Sequence, residues 1–310
     1  MASVSVLQDP SLRPRHQQTL TLSDDRVLGY AEFGSQNADA IALFVFHGLP
    51  GSRLDPATFH GVGCELNVRV IGTDRPGIGL SSPQPSRKLL DWPDDVRQLA
   101  RHLNIDRYYV LGISGGGPYA LACAHQLPET ELLGVGLMAS LGPWHLGTAG
   151  MALRLRVLLN SVAYAPWLAR RMLDATFAAP AQDPNPDTIK ALMESALASM
   201  TPADQEYCLQ PDVLDIASAS LRESYKNNSD AMVDDGRVLT SDWGFKLDEI
   251  SVPKLRLWYG TEDSHTPLSL GQYFADHIPN AIMKEFEGAT HHTIHYRSSD
   301  ILKDLLATDE

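Results

Sequence analysis

Alternating strand and helix signals predict an α/β fold built on a parallel sheet. Short, nearly continuous apolar runs recur at 41–46 (IALFVF), 68–72 (VRVIG), 108–112 (YYVLG), 132–138 (LLGVGLM) and 255–259 (LRLWY). Runs of this kind suit strands buried on both faces. Segments with helical spacing lie between them, such as 92–103, where Val96, Leu99, Ala100 and Leu103 share one side, and 118–126.

Taken in order, 18–34 (QTLTLSDDRVLGYAEFG) alternates apolar and polar residues about Asp24-Asp25, the pattern of a half-buried hairpin. Strand and helix then alternate up to about Gly142. From there to about Phe245 the chain is rich in Ala, Leu and Met, is punctuated by prolines at 179–187 (APAQDPNPD), and shows helical periods without strands. This stretch reads as an inserted helical cap, with the sheet resuming near Pro253 and a last strand at 282–286.

The chain has 310 residues, 44% apolar and 20% charged, enough to bury a large core without disulfides or a structural metal. Lys+Arg 25 against Asp+Glu 38 leaves a net charge of −13, which repels a phosphate backbone or an anionic bilayer. No nucleic-acid or membrane partner is expected. Cys64, Cys123 and Cys208 are odd in number and far apart, which fits reduced thiols rather than a disulfide framework or a zinc pair. Residues 1–18 lack the apolar core of a signal peptide, and no run reaches the roughly 18 apolar residues of a membrane span. A cytoplasmic protein, monomer or homodimer, acting on a small molecule is the expectation.

Chemistry concentrates at three places. The segment 112–116 (GISGG) follows the run YYVL and precedes a helical segment, so a G-x-S-x-G motif stands at a strand-to-helix turn with Ser114 as its nucleophile. A Cβ at 112 or 116 would strike the neighbouring strand or helix. The helix beginning behind the serine offers free N–H groups to a developing anion. The segment 47–52 (HGLPGS) leaves another strand, and a sharp turn there points a backbone N–H into the same crevice. Leu49 and Gly115 are the two expected oxyanion donors, with His47 bracing the loop.

HGLPGS at 47–52, DRPGIGLS at 74–81 and GISGGGPYA at 112–120 resemble, in order and spacing, the successive signatures of the α/β-hydrolase superfamily. The resemblance covers roughly 17–141 and 245–308. It implies a mainly parallel eight-stranded sheet flanked by helices, a core formed by 1–141 and 246–310, a helical cap at 142–245, and a triad in the order Ser, acid, His. It also implies that Asp74 and Arg75 form an ion-paired brace. The acid should follow the next-to-last strand, where 255–267 (LRLWYGTEDSHTP) supplies Asp263, with Glu262 as the adjacent alternative. The histidine should follow the last strand. His291 is preferred to His292, although Thr290 stands where such loops usually carry Gly.

A serine hydroxyl is a weak nucleophile near neutral pH; an imidazole must take its proton, and a carboxylate must hold that imidazole's tautomer. Ser114, His291 and Asp263 fill these roles, giving a serine hydrolase for a carboxylic ester or lactone. Amide or peptide cleavage in the manner of proline iminopeptidases, C–C hydrolysis and acyl transfer remain open on the same residues. So does a receptor-like protein with little turnover. No cofactor is expected. His291, His292 and His295 are the one metal-like grouping, without a strong ligand pattern, and no metal is expected.

The cap should choose the substrate. The apolar stretch 151–172 with Arg154, Arg156, Arg170 and Arg171 reads as helix packed on its neighbours with arginines in water, ahead of a lid lining an acyl pocket. Trp144 is expected to border the pocket, Trp243 to anchor the return to the core, and Glu194, Glu206 or Glu223 could meet a substrate ammonium.

Overall fold

The computed structural model describes residues 6–198 and 200–307. The outermost residues of the expected core, 1–5 and 308–310, lie outside it.

Eight strands form one sheet: β1 (Gln18–Thr21), β2 (Val27–Gly34), β3 (Ile41–Phe46), β4 (Val68–Thr73), β5 (Tyr108–Ile113), β6 (Leu132–Met138), β7 (Leu255–Gly260) and β8 (Ala281–Phe286). Their spatial order is β1-β2-β4-β3-β5-β6-β7-β8. The pairs β1/β2 and β2/β4 are antiparallel and every other pair is parallel.

Successive side chains of a strand point to opposite faces, and helices cover both faces here. Phe44, Phe46 and Val110 enter one core with Trp92, Val96 and Leu121, while Leu43, Val45 and Leu111 enter the other with Ile301, Leu302 and Leu305. Both faces therefore need apolar residues, which is why the runs are continuous. The edge strand β8 departs from this rule. It carries Lys284 and Glu285 and leaves Ile282 exposed, a composition that discourages a foreign strand from pairing with it.

The 18–34 hairpin forms, turning through Asp25 at φ +66°. Only β1 is half-buried. β2 is buried along nearly its whole length because β1 and β4 flank it, so the alternation seen in the sequence does not carry over to it.

The core helices are α1 (His60–Glu65), α2 (Trp92–His102) and α3 (Gly117–Gln126). Between β6 and β7, among the described residues, lie only helices and turns: α4 (Leu153–Tyr164), α5 (Pro166–Leu173), α6 (Ala179–Gln182), α7 (Pro186–Leu197), α8 (Pro202–Cys208), α9 (Pro211–Ser224) and α10 (Asp230–Leu239). The sheet side resumes with α11 (Leu268–His277) and ends with α12 (Ser298–Leu306).

The stretch 151–172 is two helices, because Pro166 lacks the N–H that would continue α4 and opens α5 instead. Packing with arginines in water does not describe it fully, since Leu153, Val157, Tyr164, Trp167, Leu168 and Met172 are all exposed. Trp243 is buried where the insertion returns, its indole N–H donating to Leu239 O and its ring lying against Phe245 and Phe274. No described helix is long and apolar enough to cross a membrane.

Candidate active site

Ser114 directly follows β5 in a left-handed conformation, φ +53°, and opens a single turn, Ser114–Gly116, that leads into α3. The two flanking glycines are steric necessities. A Cβ at Gly112 would lie 2.5 Å from Gly116 O, and one at Gly116 would lie 2.1 Å from Phe46 O on β3. The serine itself is half-buried.

The 47–52 loop leaves the same end of β3. A Cβ at Gly48 would come 3.4 Å from Ser114 Cβ and 3.7 Å from Ser114 Oγ; one at Gly115 would come 3.4 Å from Leu49 N. The backbones of Leu49 and Gly115 thus meet beside the serine. Leu239 of α10 closes in on Gly115 from the insertion. His47 lies behind the loop, where its Nδ1–H donates to Gly48 O at 2.8 Å. Burial, aided by the Arg75 charge, holds the His47 pKa well below its ordinary value and keeps the ring neutral.

Asp263 follows β7 and is buried, while Glu262 is exposed. Asp263 Oδ1 accepts from the N–H groups of His265 (2.7 Å) and Thr266 (2.9 Å), and Oδ2 accepts from Thr266 Oγ1 (2.8 Å) and His291 Nδ1 (2.8 Å). Burial raises its pKa, but the His291 charge and these hydrogen bonds outweigh that and hold it below the usual carboxylate value. Burial in turn lowers His291, and Asp263 more than offsets it, so His291 lies above its ordinary 6.5. Because Nδ1–H donates to the carboxylate, Nε2 is the bare nitrogen of the neutral ring.

Of the adjacent histidines, His291 reaches Asp263. His292 Nε2 is buried without a hydrogen-bond partner.

Several residues here left no clear mark in the sequence. Thr266 ties Asp263 to Ala139 O at the end of β6 and also approaches His291 Nδ1 at 3.2 Å. His265 stacks on His291 with centroids 4.8 Å apart. Thr290, the departure from the usual loop, donates to Asp204 of α8 and so fastens the histidine loop to the insertion. The threonine of DSHTP was the one available signal, since a Ser or Thr near Asp commonly bonds it locally.

Asp74 and Arg75 do not pair with each other. Asp74 pairs with Arg53 (2.9 Å), which also pairs with Glu223 of α9 (2.5 Å); Arg75 pairs with Asp235 of α10 (2.7 Å). Both are fully buried, and each finds its counter-charge across the chain rather than on its own loop. Glu223 is therefore committed to Arg53 rather than free for an ammonium group. Trp144 opens a short turn, half-buried on the core, its ring 6.3 Å from that of Tyr164.

The metal-like grouping of the described residues is Asp263, His265 and His291, with ligand atoms within 4.8 Å of one another, rather than His291, His292 and His295. An ion there would have to displace hydrogen bonds from a carboxylate that already accepts four. A separate groove of about 520 Å³ is lined by Arg15, Glu32, Arg69 and Arg107 among others. It lies at the opposite ends of the strands from Ser114.

Residues 41–181 match a family model described as the alpha/beta hydrolase fold. Two curated relatives differ in extent. A probable proline iminopeptidase of Leptolyngbya boryana is 30% identical over 123 residues, which is 39% of this chain and 37% of that protein. A magnesium-chelatase 30 kDa subunit of Rhodobacter capsulatus is 26% identical over 281 residues, 87% of this chain and 86% of that protein. This chain thus aligns with well under two thirds of the first and with most of the second. Solved structures superpose along nearly the whole chain. A hydrolase from Pseudomonas aeruginosa PA01 gives a TM-score of 0.66 at 19% identity, covering 94% of this chain and 98% of that one. The enol-lactonase of Burkholderia xenovorans LB400 gives 0.62 at 18% identity, covering 93% and 99%.

Proposed function

We propose that this chain, an α/β hydrolase in fold, is a serine hydrolase that cleaves a carboxylic ester or lactone of a small organic substrate through an acyl-enzyme. The observation that carries the reading is the 2.8 Å contact of His291 Nδ1 with Asp263 Oδ2, made by loops that follow β7 and β8 at the sheet end where Ser114 follows β5.

Ser114 Oγ attacks the carbonyl carbon while His291 Nε2 takes its proton, and the Asp263 carboxylate stabilises the imidazolium that results. Negative charge moves to the carbonyl oxygen, which the N–H groups of Leu49 and Gly115 receive. As the tetrahedral intermediate collapses, His291 returns the proton to the departing alkoxide. Water then repeats the sequence on the acyl-enzyme. On this reading Trp144 touches the organic part of the substrate.

Ester or lactone cleavage is preferred to peptide cleavage for two reasons. Leu49 and Leu239 near the serine are apolar, and Glu223, one of the insertion's acids that could meet an ammonium group, is engaged by Arg53. The test is intact-mass measurement after exposure to a small fluorophosphonate. One adduct on the wild type and none on Ser114→Ala supports the reading; an unmodified, folded wild type overturns it.

A second reading, a binding protein with little turnover, draws on the relative named as a subunit of magnesium chelatase, which aligns along most of this chain. A stoichiometric burst of product from an activated ester without later turnover would favour it.

A further inference from the structure

The peptide unit between Gly48 and Leu49 has two ends, and both matter. Its N–H is the oxyanion donor of the proposed mechanism, on which this inference rests. Its C=O points the opposite way, because carbonyl and N–H are antiparallel across a trans peptide plane. Two donors grip that carbonyl: His47 Nδ1–H at 2.8 Å and Arg75 Nη2 at 2.8 Å. Arg75 Nη1 also donates to the preceding carbonyl, His47 O, at 2.6 Å. The guanidinium therefore fixes two successive peptide planes of the loop.

Arg75 is itself fixed from the other side. Asp235, fully buried on α10, accepts from Arg75 Nε (2.9 Å) and Nη2 (2.7 Å) through Oδ2. Its Oδ1 accepts from Arg87 Nη2 (2.7 Å) and from Tyr119 OH (2.6 Å). Tyr119 lies on α3, directly behind the serine, and the Arg75 guanidinium sits 4.8 Å from its ring centroid. One carboxylate from the helical insertion thus joins the oxyanion loop to the helix that carries the nucleophile turn. A neutral brace would have sufficed to hold a loop. Burying a charge is costly unless it is paired and fully hydrogen-bonded, and here a cation is placed where it polarises the carbonyl of the donor peptide, strengthening the N–H at its other end.

We propose that Arg75 and Asp235 are positioning residues for transition-state stabilisation, aiming and polarising the Leu49 N–H from behind, so that seating of α10 on the core sets the catalytic rate. The role predicts a loss confined to the transition state. Removing one oxyanion donor outright costs about 10²–10³ in kcat, and misaiming one costs part of that.

The experiment compares Arg75→Gln, Asp235→Asn and Glu223→Gln on an activated ester. Glu223→Gln is the control, because it breaks a separate ion pair between insertion and core, Arg53–Glu223, and Glu223 itself does not touch the 47–52 loop. The expected result is a fall in kcat of about 10- to 100-fold for Arg75→Gln and Asp235→Asn, with KM within about twofold. Affinity for a trifluoromethyl ketone, which forms the tetrahedral oxyanion adduct, should weaken in proportion. Glu223→Gln should lower the melting temperature but keep kcat and ketone affinity within about threefold.

Should the Arg75 or Asp235 variant fold poorly, the pseudo-first-order rate constant of fluorophosphonate labelling reads the folded fraction alone, and it should fall by the same factor. Equal labelling rates and ketone affinities across all four proteins would overturn the proposal while leaving Ser114 as nucleophile. A wild type that does not label at all would overturn both.

Discussion

Ser114 pays for its placement, with φ of +53°, a conformation that costs a residue bearing a Cβ about 1–3 kcal/mol. Replacing it by glycine should raise stability by about 1 kcal/mol in urea unfolding while abolishing turnover. Ser114→Ala and His291→Ala should each lower kcat by at least about 10⁴-fold with the fold retained by circular dichroism, and His292→Ala should keep most of it. An active His291→Ala beside an inactive His292→Ala would reverse that assignment.

The pH profile follows from the same pair. On the proposed mechanism His291 must be neutral to accept the serine proton, and Asp263 holds its pKa above 6.5. The rate should therefore rise with pH through a midpoint above 6.5. In Asp263→Asn the carboxylate that supports the cation is gone, so the midpoint should move to lower pH as kcat falls; a midpoint unmoved by that change would separate the two residues.

At the scale of elements, the nucleophile turn is where close backbone approach governs sequence most tightly. Gly116→Ala would put a Cβ 2.1 Å from Phe46 O, so β3 or α3 must move, at a cost of about 3 kcal/mol or more. Gly61→Ala in α1 meets nothing within 4 Å and should be neutral or stabilising by up to about 1 kcal/mol, because helical glycine is entropically unfavourable. Chemical denaturation of both variants tests the contrast. The strands were legible because burial on two faces writes a continuous apolar run. The exposure of α4 and α5 was not, since an apolar helix reads the same in sequence whether it is packed or uncovered.

For the whole molecule, burial keeps many imidazoles neutral. His16 and His292 are pulled down to about 4, His265 and His295 to about 3, and His47 well below its ordinary value. A histidine with a depressed folded pKa binds fewer protons folded than unfolded, so its contribution is present above pH 6.5 and is lost as pH falls toward the folded value. Asp55, raised to about 6 by burial, acts in the opposite sense, since its contribution diminishes as pH rises from 3.8 to about 6. His60 is depressed as well, so six lowered histidines stand against Asp55, Asp74, Asp95 and His291, whose raised values act in the opposite sense. The melting temperature should drop by about 5 °C or more between pH 7.5 and pH 4.5, and one that held level or rose would contradict this balance.

Local physics made part of this protein readable from its residues. A parallel strand needs apolar residues on both faces, and a tight strand-to-helix turn admits only glycine at 112 and 116, so the strands, the helical insertion and the positions of Ser114, Leu49 and Gly115 in their loops stand in the sequence itself. Partners that meet across the chain do not. Whether His291 or His292 faces Asp263, that Thr266 and Thr290 secure that pair, and that Arg75 finds its counter-charge on Asp235, 160 residues away, were decided by tertiary packing. A charge displays its sign along the chain; only burial beside a particular neighbour determines what that charge holds in place.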